Sequence, residues 1–196
     1  MRLYYLIAFL FYINNIEYAK NTIFDHALSN LSEYDFFEKP LKNHIPKKDV
    51  IPYEIASPLF SDYAEKMRCI RVPDGSKILL DDENNFIYPE NTYLIKTFYY
   101  YSDIRDQHSK KHIIETRILK NTSEGWLSFP YVWNENQTDA KLNLAGARIS
   151  ASWTHFDGNP IEILYSVPNI NQCKNCYTLN NCLLYTSEPT RLHCIS

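Results

Sequence analysis

Between Met67 and Val167 the chain is a succession of aromatic and β-branched runs, and this feature limits the fold more than any other. The runs are "MRCIRV", "TYLIKTFYYY", "HIIETRIL", "WLSFPYVW", "ARISASW" and "IEILYSV", punctuated by Asn, Asp, Gly and Pro. Side chains branched at Cβ lose rotamer freedom in a helix but pack well on a pleated surface, where aromatic rings also reach across neighbouring strands. The turn "PDGS", with Asp74 and Gly75 at its tip, joins "MRCIRV" to "KILL" and reads as a hairpin. About seven strands with few helices predict a mainly β fold, an antiparallel β-sandwich or barrel-like domain over residues 59–168. Composition agrees: 16 tyrosines and 10 phenylalanines stand against only 4 glycines. A net charge of −3, with acids and bases interspersed, gives neither a nucleic-acid surface nor a polybasic membrane patch.

The segment before the strands reads as an export signal followed by a connector. Arg2 precedes the apolar run "LYYLIAFLFYI" (Leu3 to Ile13), and a small residue, Ala19, offers a cleavage point. Residues 1–19 are therefore read as a signal peptide and the protein as exported to the bacterial periplasm. Glu17 is a poor neighbour for cleavage, so an uncleaved signal segment is the alternative and the one route to membrane attachment. Residues 20–58 read as a short N-terminal helix and a Pro-rich connector. Asn30 and Glu33 form a capping-box pattern, Leu31, Tyr34 and Phe37 recur at helical spacing, and Pro40 stops the element. The X-Pro steps between Ile45 and Pro58 favour extended backbone, predicting a segment that runs along the surface.

Chemistry concentrates in "NQCKNCYT", Asn171 to Thr178. Cys173 and Cys176 have the spacing of the thioether pair of a c-type haem, but Tyr177 stands where the axial histidine belongs. A disulfide between the two cysteines is the competing reading in an oxidising compartment. Zinc would need two further ligands, and neither His155 nor His193 stands at ligand spacing. Cys69 reads as a buried strand thiol. Glu115 and Arg117 alternate on one strand face and read as a buried ion pair. Lys96, inside an aromatic strand, reads as a snorkelling side chain. In "WNENQTDA", Asn134, Gln137 and Asp139 are placed to close a turn through side-chain hydrogen bonds, with a sugar or cation site as the alternative. His108, His112 and His155 are distal haem ligands by residue type and solvent-facing by default. No Ser-His-Asp order, phosphate loop or carboxylate pair marks a catalytic centre, so the chain reads as an electron-transfer or binding protein rather than an enzyme.

The ordered motifs "PLFSDYAEKMR", "YLIKTFYY", "IETRIL", "GWLSFPYVWNENQTDA" and "YSVPNINQCKNC" resemble a family of exported bacterial proteins similar to di-haem c-type cytochromes. The resemblance covers roughly residues 28–178 and implies a β-rich region running into a haem-attachment site. It implies haem c at Cys173 and Cys176, a periplasmic redox partner, and electron transfer as the role. Residues 169–181 would be the start of the cytochrome c-like region. The sequence departs from the family at Tyr177 and again after Asn181. There "CLLYTS", Cys182 to Ser187, matches the translation of a transposon-library adapter, so residues 182–196 read as adapter translation or a disordered tail. The alternative to a truncated cytochrome-like protein is a β-sandwich that binds a ligand or partner and carries a Cys-x-x-Cys disulfide.

Overall fold

A computed structural model describes residues 26–55, 60–82 and 85–172. Residues 1–19, read above as a signal peptide, Cys173, Cys176, Tyr177 and residues 182–196 lie outside the described residues. The described residues form two 3-10 turns, η1 (Leu31–Tyr34) and η2 (Leu41–Asn43), followed by ten strands. These are β1 (Ile51–Pro52), β2 (Glu65–Arg71), β3 (Leu79–Leu80), β4 (Phe86–Ile87), β5 (Tyr93–Tyr101), β6 (Lys111–Thr122), β7 (Gly125–Trp133), β8 (Ala140–Leu142), β9 (Ala147–Thr154) and β10 (Pro160–Val167). The long predicted runs are all strands, every strand pairing is antiparallel, and the fold is mainly β.

A six-stranded sheet in the order β1-β2-β5-β6-β7-β8 forms the body of the molecule, and β9 and β10 form a separate two-stranded ribbon. The sheet stays open rather than closing into a barrel. Its first face is covered by the 26–50 segment, its second by the β9–β10 ribbon. One sequence expectation fails here. "PDGS" does turn, with Ser76 N–H donating to Pro73 O at 3.0 Å and Gly75 at φ +74°. Yet β3 pairs with β4 and not with β2, whose partner is β5. The nine-residue β5 offers β2 seven register positions and an apolar face, whereas β3 offers two residues, both exposed.

The first face holds the main core, in which Leu31, Phe36, Ile95, Ile118, Phe129 and Tyr131 are each at most 1% exposed. The predicted capping box is present: Asn30 and Glu33 exchange backbone and side-chain bonds at the start of η1. The helix nevertheless ends after one turn, because Asp35 is left-handed at φ 56°, and Phe37 lies beyond it. The connector does not simply run along the surface. Leu41, His44 and Val50 are buried against the sheet while Lys42 and Lys48 between them stay exposed. A closed ring of hydroxyl bonds seals this side. Leu28 N–H donates to Tyr34 Oη (3.0 Å), Tyr34 bonds Tyr131 Oη (2.8 Å), and Tyr131 donates to Leu28 O (2.7 Å).

A β-bulge decides what the second face receives. The β5–β6 register runs from Phe98 opposite Glu115 to Tyr99 opposite Ile113, so Ile114 is an extra residue on β6. Ile113 belongs to the first core and Ile114 to the second, where it packs with Phe98, Tyr100, Trp153 and Tyr165. Glu115 follows Ile114 onto that second face, where Tyr165 Oη donates to it at 2.6 Å. Two successive side chains thus face the same way, as a bulge allows and regular strand geometry does not.

Candidate functional site

The second face carries a row of cations. Arg68 on β2 stands opposite Lys96 on β5, and Lys96 stands opposite Arg117 on β6. Lys66 lies in the adjoining row, which continues through Phe98 to Glu115. Arg68 is 7% and Lys96 6% exposed, and the Arg117 side chain 12%, so the charges are largely removed from water. Above the row lies the Phe98–Tyr100–Ile114 cluster, and below it a smaller one built on Leu94 and Leu119.

One carboxylate is fully buried among these cations. Glu115 receives Arg117 Nε at 3.0 Å and Arg117 Nη2 at 2.5 Å, a bidentate pair, together with the Tyr165 hydroxyl. The expected Glu115–Arg117 pair is therefore present. Phe98 offers its ring to two cations, with Arg117 Cζ 4.4 Å and Lys96 Nζ 5.3 Å from the centroid. The Lys96 amine is pushed down to about 7, first by burial and then by Arg68, Arg117 and Lys66, against which Glu115 pulls the other way. Lys66 is lowered too, by burial and by Arg68. Tyr165 is held protonated by burial and by the Glu115 charge beside it. The snorkelling expected of Lys96 is corrected: its alternation in β5 turns it onto a covered face.

At the open edge of β2 this face meets a cleft of about 430 Å³ lined by Tyr53, Glu54, Lys66 and Arg68, with Pro52, Met67 and Tyr99. β1 is two residues long and pairs with Ile70 and Cys69, and beyond it Tyr53 N–H donates to Arg68 O at 3.0 Å. The Tyr53 hydroxyl is buried and makes no hydrogen bond.

A second structured feature leads toward Cys173. Val167 closes the β9–β10 ribbon opposite Ala147. Beyond it Ile170 N–H donates to Leu144 O at 3.1 Å. Asn169 and Gln172 then cap each other, Gln172 N–H donating to Asn169 Oδ1 (2.9 Å) and Asn169 N–H to Gln172 Oε1 (3.0 Å). This reciprocal arrangement is a capping box at the first turn of a helix. Gly146 makes the close approach feasible: at φ +81° it lies so near that an added Cβ would meet Val167 O at 2.8 Å and Asn169 N at 3.0 Å.

The remaining sequence candidates sort clearly. Gln137 brackets the Ile113 backbone, accepting from its N–H (2.7 Å) and donating to its carbonyl (3.0 Å). Asn134 bonds Thr138, and Asp139 accepts from both Ser32 N–H and Ser32 Oγ. The "WNENQTDA" loop is thus closed by side chains, as expected. His108 has a 98% exposed side chain; His112 is also exposed. His155 accepts from Trp153 Nε1 at 3.3 Å and edges onto Tyr63. Cys69 is a buried free thiol pushed up to about 12 by desolvation. Among the described residues, no three His, Cys, Asp or Glu side chains converge as metal ligands.

Sequence reasoning missed Arg68, Lys66 and Tyr165 in the charged face, and His44 in the first core. His44 Nε2 bonds Thr97 Oγ1 at 2.8 Å between the Phe37 and Trp133 rings. Burial, reinforced by Lys111, holds it down to about 3. A signal for the cationic row did exist: "KMRC", "LIKTF" and "ETRIL" each place a cation inside an apolar strand. Comparison with known proteins adds nothing to the geometry, since no family model, curated protein or solved structure matches the chain.

Proposed function

We propose that the chain is an exported, c-type cytochrome-like protein in which a non-catalytic β-sandwich anchors and orients the Cys173–Cys176 segment. Its role is periplasmic electron transfer alongside a redox partner. The observation that carries this reading is the locked stem: β10, the Gly146 contact and the Asn169–Gln172 capping box fix the backbone up to the residue before Cys173. A segment that must present two thiols to one planar ligand needs such an anchor, because covalent attachment at both sulfurs tolerates little backbone freedom.

The donor set only partly fits haem c. Two thiols match the attachment chemistry, but Tyr177 supplies a phenol where a c-type centre takes an imidazole. No electron-transfer step is therefore assigned to haem in this chain. In its present form Cys173 and Cys176 pair as a disulfide on oxidation.

Expression of Tyr177→His with a cytochrome maturation system tests the reading. Covalently bound haem in the variant, with little in the native chain, is the expected result. Folded, exported Tyr177→His that carries no covalent haem overturns the cytochrome reading. It leaves the alternative, a β-sandwich binding domain with a Cys-x-x-Cys disulfide.

A further inference from the structure

At the turn that joins β9 to β10, the ribbon meets the 60–63 turn in a group of exposed aromatic rings. Phe60 is 71%, Phe156 65% and Tyr63 44% exposed. The rings stand against one another at steep angles. Phe60 and Tyr63 meet at 86° with centroids 5.0 Å apart, Tyr63 and His155 at 83° and 4.9 Å, and His155 and Phe156 at 59° and 5.2 Å. Trp153 backs Tyr63 at 5.8 Å and itself stacks on the buried Tyr100 at 4.9 Å. The turn that presents Phe60 and Tyr63 is strained: Asp62 and Tyr63 are both left-handed, at φ 46° and 63°, a conformation that costs a bulky residue free energy. It is held there by the Tyr100 hydroxyl, which donates to Asp62 O at 3.0 Å, and by Ala64 N–H, which donates to Ser61 O at 2.8 Å. A turn that served packing alone would bury its rings; this one is held under strain with the rings in water.

We infer that Phe60, Tyr63, His155 and Phe156 form a binding site for the quaternary ammonium group of a small, soluble organic cation. The negative face of an aromatic ring attracts a cation within about 6 Å of its centroid, and rings at right angles turn two such faces toward one point. The carboxylates of Asp62 and Asp157, both exposed and next in sequence to Tyr63 and Phe156, give the surroundings a matching negative charge. Arg105 approaches beside Gly158, but Asp103 forks it at 2.9 and 2.6 Å. His155 Nδ1 accepts from Trp153 Nε1, so its imidazole adds no positive charge in this arrangement. Both Asp157 oxygens already accept from Asn159, one from its backbone N–H and one from its amide, at 2.9 Å each. Four rings beside two carboxylates, one of them so engaged, suit a cation without N–H groups better than a primary ammonium, which needs acceptors for three donors. The Val167 end of the ribbon, which leads to Cys173, lies the length of an eight-residue strand away, about 25 Å. The site therefore stands whether or not the Cys173 segment carries haem.

Titration of the isotope-labelled full chain with choline, at constant ionic strength and followed by NMR, tests this. The reporters are the Trp153 indole N–H, which bonds His155, and the Tyr63 amide. Both shift and saturate, with a dissociation constant in the millimolar range that suits cation–π contacts at an exposed site. The neutral isostere of choline, in which carbon replaces the ammonium nitrogen, gives no saturating shift at the same concentrations. Phe60→Leu, which keeps an apolar side chain at an exposed position, weakens binding about two- to fivefold through loss of one ring. Tyr63→Phe keeps its ring and leaves the affinity unchanged, as does Ile45→Ala, an exposed apolar position on the segment that covers the other face. Asp62→Asn is the second variant should Phe60→Leu disturb the turn, because asparagine tolerates the left-handed backbone. It weakens binding at low salt and matches the native chain at high salt, where the carboxylate is screened. A saturating shift that the neutral isostere reproduces overturns the site and marks a plain apolar surface. So does a choline titration that moves neither reporter, one that Phe60→Leu and Asp62→Asn share in full with the native chain, or one that methylammonium matches.

Discussion

The two faces of the six-stranded sheet are made by the same strands, yet they solve burial in opposite ways. The first face is covered by the chain's own N-terminal segment, and most polar atoms it buries find partners inside the core. Thr97 bonds Thr116 at 2.9 Å, Thr116 also accepts from Trp133 Nε1 at 3.0 Å, and the Tyr34–Tyr131 ring closes on Leu28. The second face buries Arg68, Lys96, Arg117 and Glu115 at its centre, between two apolar clusters. Alternation along a strand fixes which residues share a face and says nothing about whether that face is apolar. Here one face buries neutral hydroxyl and ring contacts, and the other buries charged side chains between apolar clusters.

The largest effects separate packing from pairing. Phe129→Ala, in the first core at 0% exposure, is expected to lower unfolding free energy by about 3–5 kcal/mol. Glu115→Ala on the second face is expected to match it, at about 3–5 kcal/mol, because it leaves Arg117 buried without its carboxylate. The two losses respond differently to a second change. Adding Arg117→Met to Glu115→Leu should recover most of the loss, since an apolar pair of similar volume removes the buried charge. No single added substitution recovers Phe129→Ala, whose cost is a cavity. Urea unfolding of the four variants measures this, and a Glu115→Ala effect below about 1 kcal/mol would show the face to be solvent-screened.

The next effect is pH dependence. The Lys96 amine is depressed in the folded state to about 7, while the unfolded chain keeps the ordinary lysine value near 10.5. Between those values the unfolded state binds the proton and the native state does not, so stability rises with pH across the window. Among the described residues, Arg68 and Lys66 on β2 and Arg117 on β6 oppose the charge of Lys96, and Glu115 on β6 favours it. A single group contributes at most about 1.4 kcal/mol per pH unit, hence about 2–3 kcal/mol between pH 7 and 9. Lys96→Met should flatten that slope. An unchanged slope in the variant would assign the pH dependence elsewhere.

Much of this architecture is legible in the sequence. The strands announce themselves because aromatic and β-branched runs have no better use than a pleated surface, and the η1 start follows from the spacing of Asn30 and Glu33. The pairing of β3 was not legible, since a turn signal fixes the reversal but not whether the following run is long enough to compete with β5. Lys96 was misread because its burial depends on the flanking strands β2 and β6, which are distant in sequence. His44 lay hidden in a Lys- and Pro-rich stretch whose composition reads as surface, although its left-handed backbone at φ 52° places the ring against Thr97. The charged site required strand register, which sets Arg68, Lys96 and Arg117 side by side from three separate runs.

The smallest effect tests the device that divides residues between the two faces. The bulge at Ile114 sends Ile113 to the first core and both Ile114 and Glu115 to the second. β7 pairs with β6 from Glu115 to Thr122, so Ile113 lies past the end of that ladder. Gln137 takes the place of the missing strand: its amide accepts from Ile113 N–H and donates to Ile113 O, as a backbone peptide would. Gln137 itself is left-handed at φ 57°, a conformation that asparagine tolerates well. Gln137→Asn therefore preserves the turn while shortening the side chain by one methylene, too short to keep both bonds. A net loss of about 1 kcal/mol is expected. The informative readout is local: amide exchange at Ile113 should accelerate strongly, while Ile118, deep in the β6–β7 ladder, keeps its protection. Equal acceleration at both positions would mean that Gln137 supports the whole sheet. No acceleration at Ile113 would mean that the bulge is held by its own packing, with Glu115 kept on the charged face by Tyr165 and Arg117 alone.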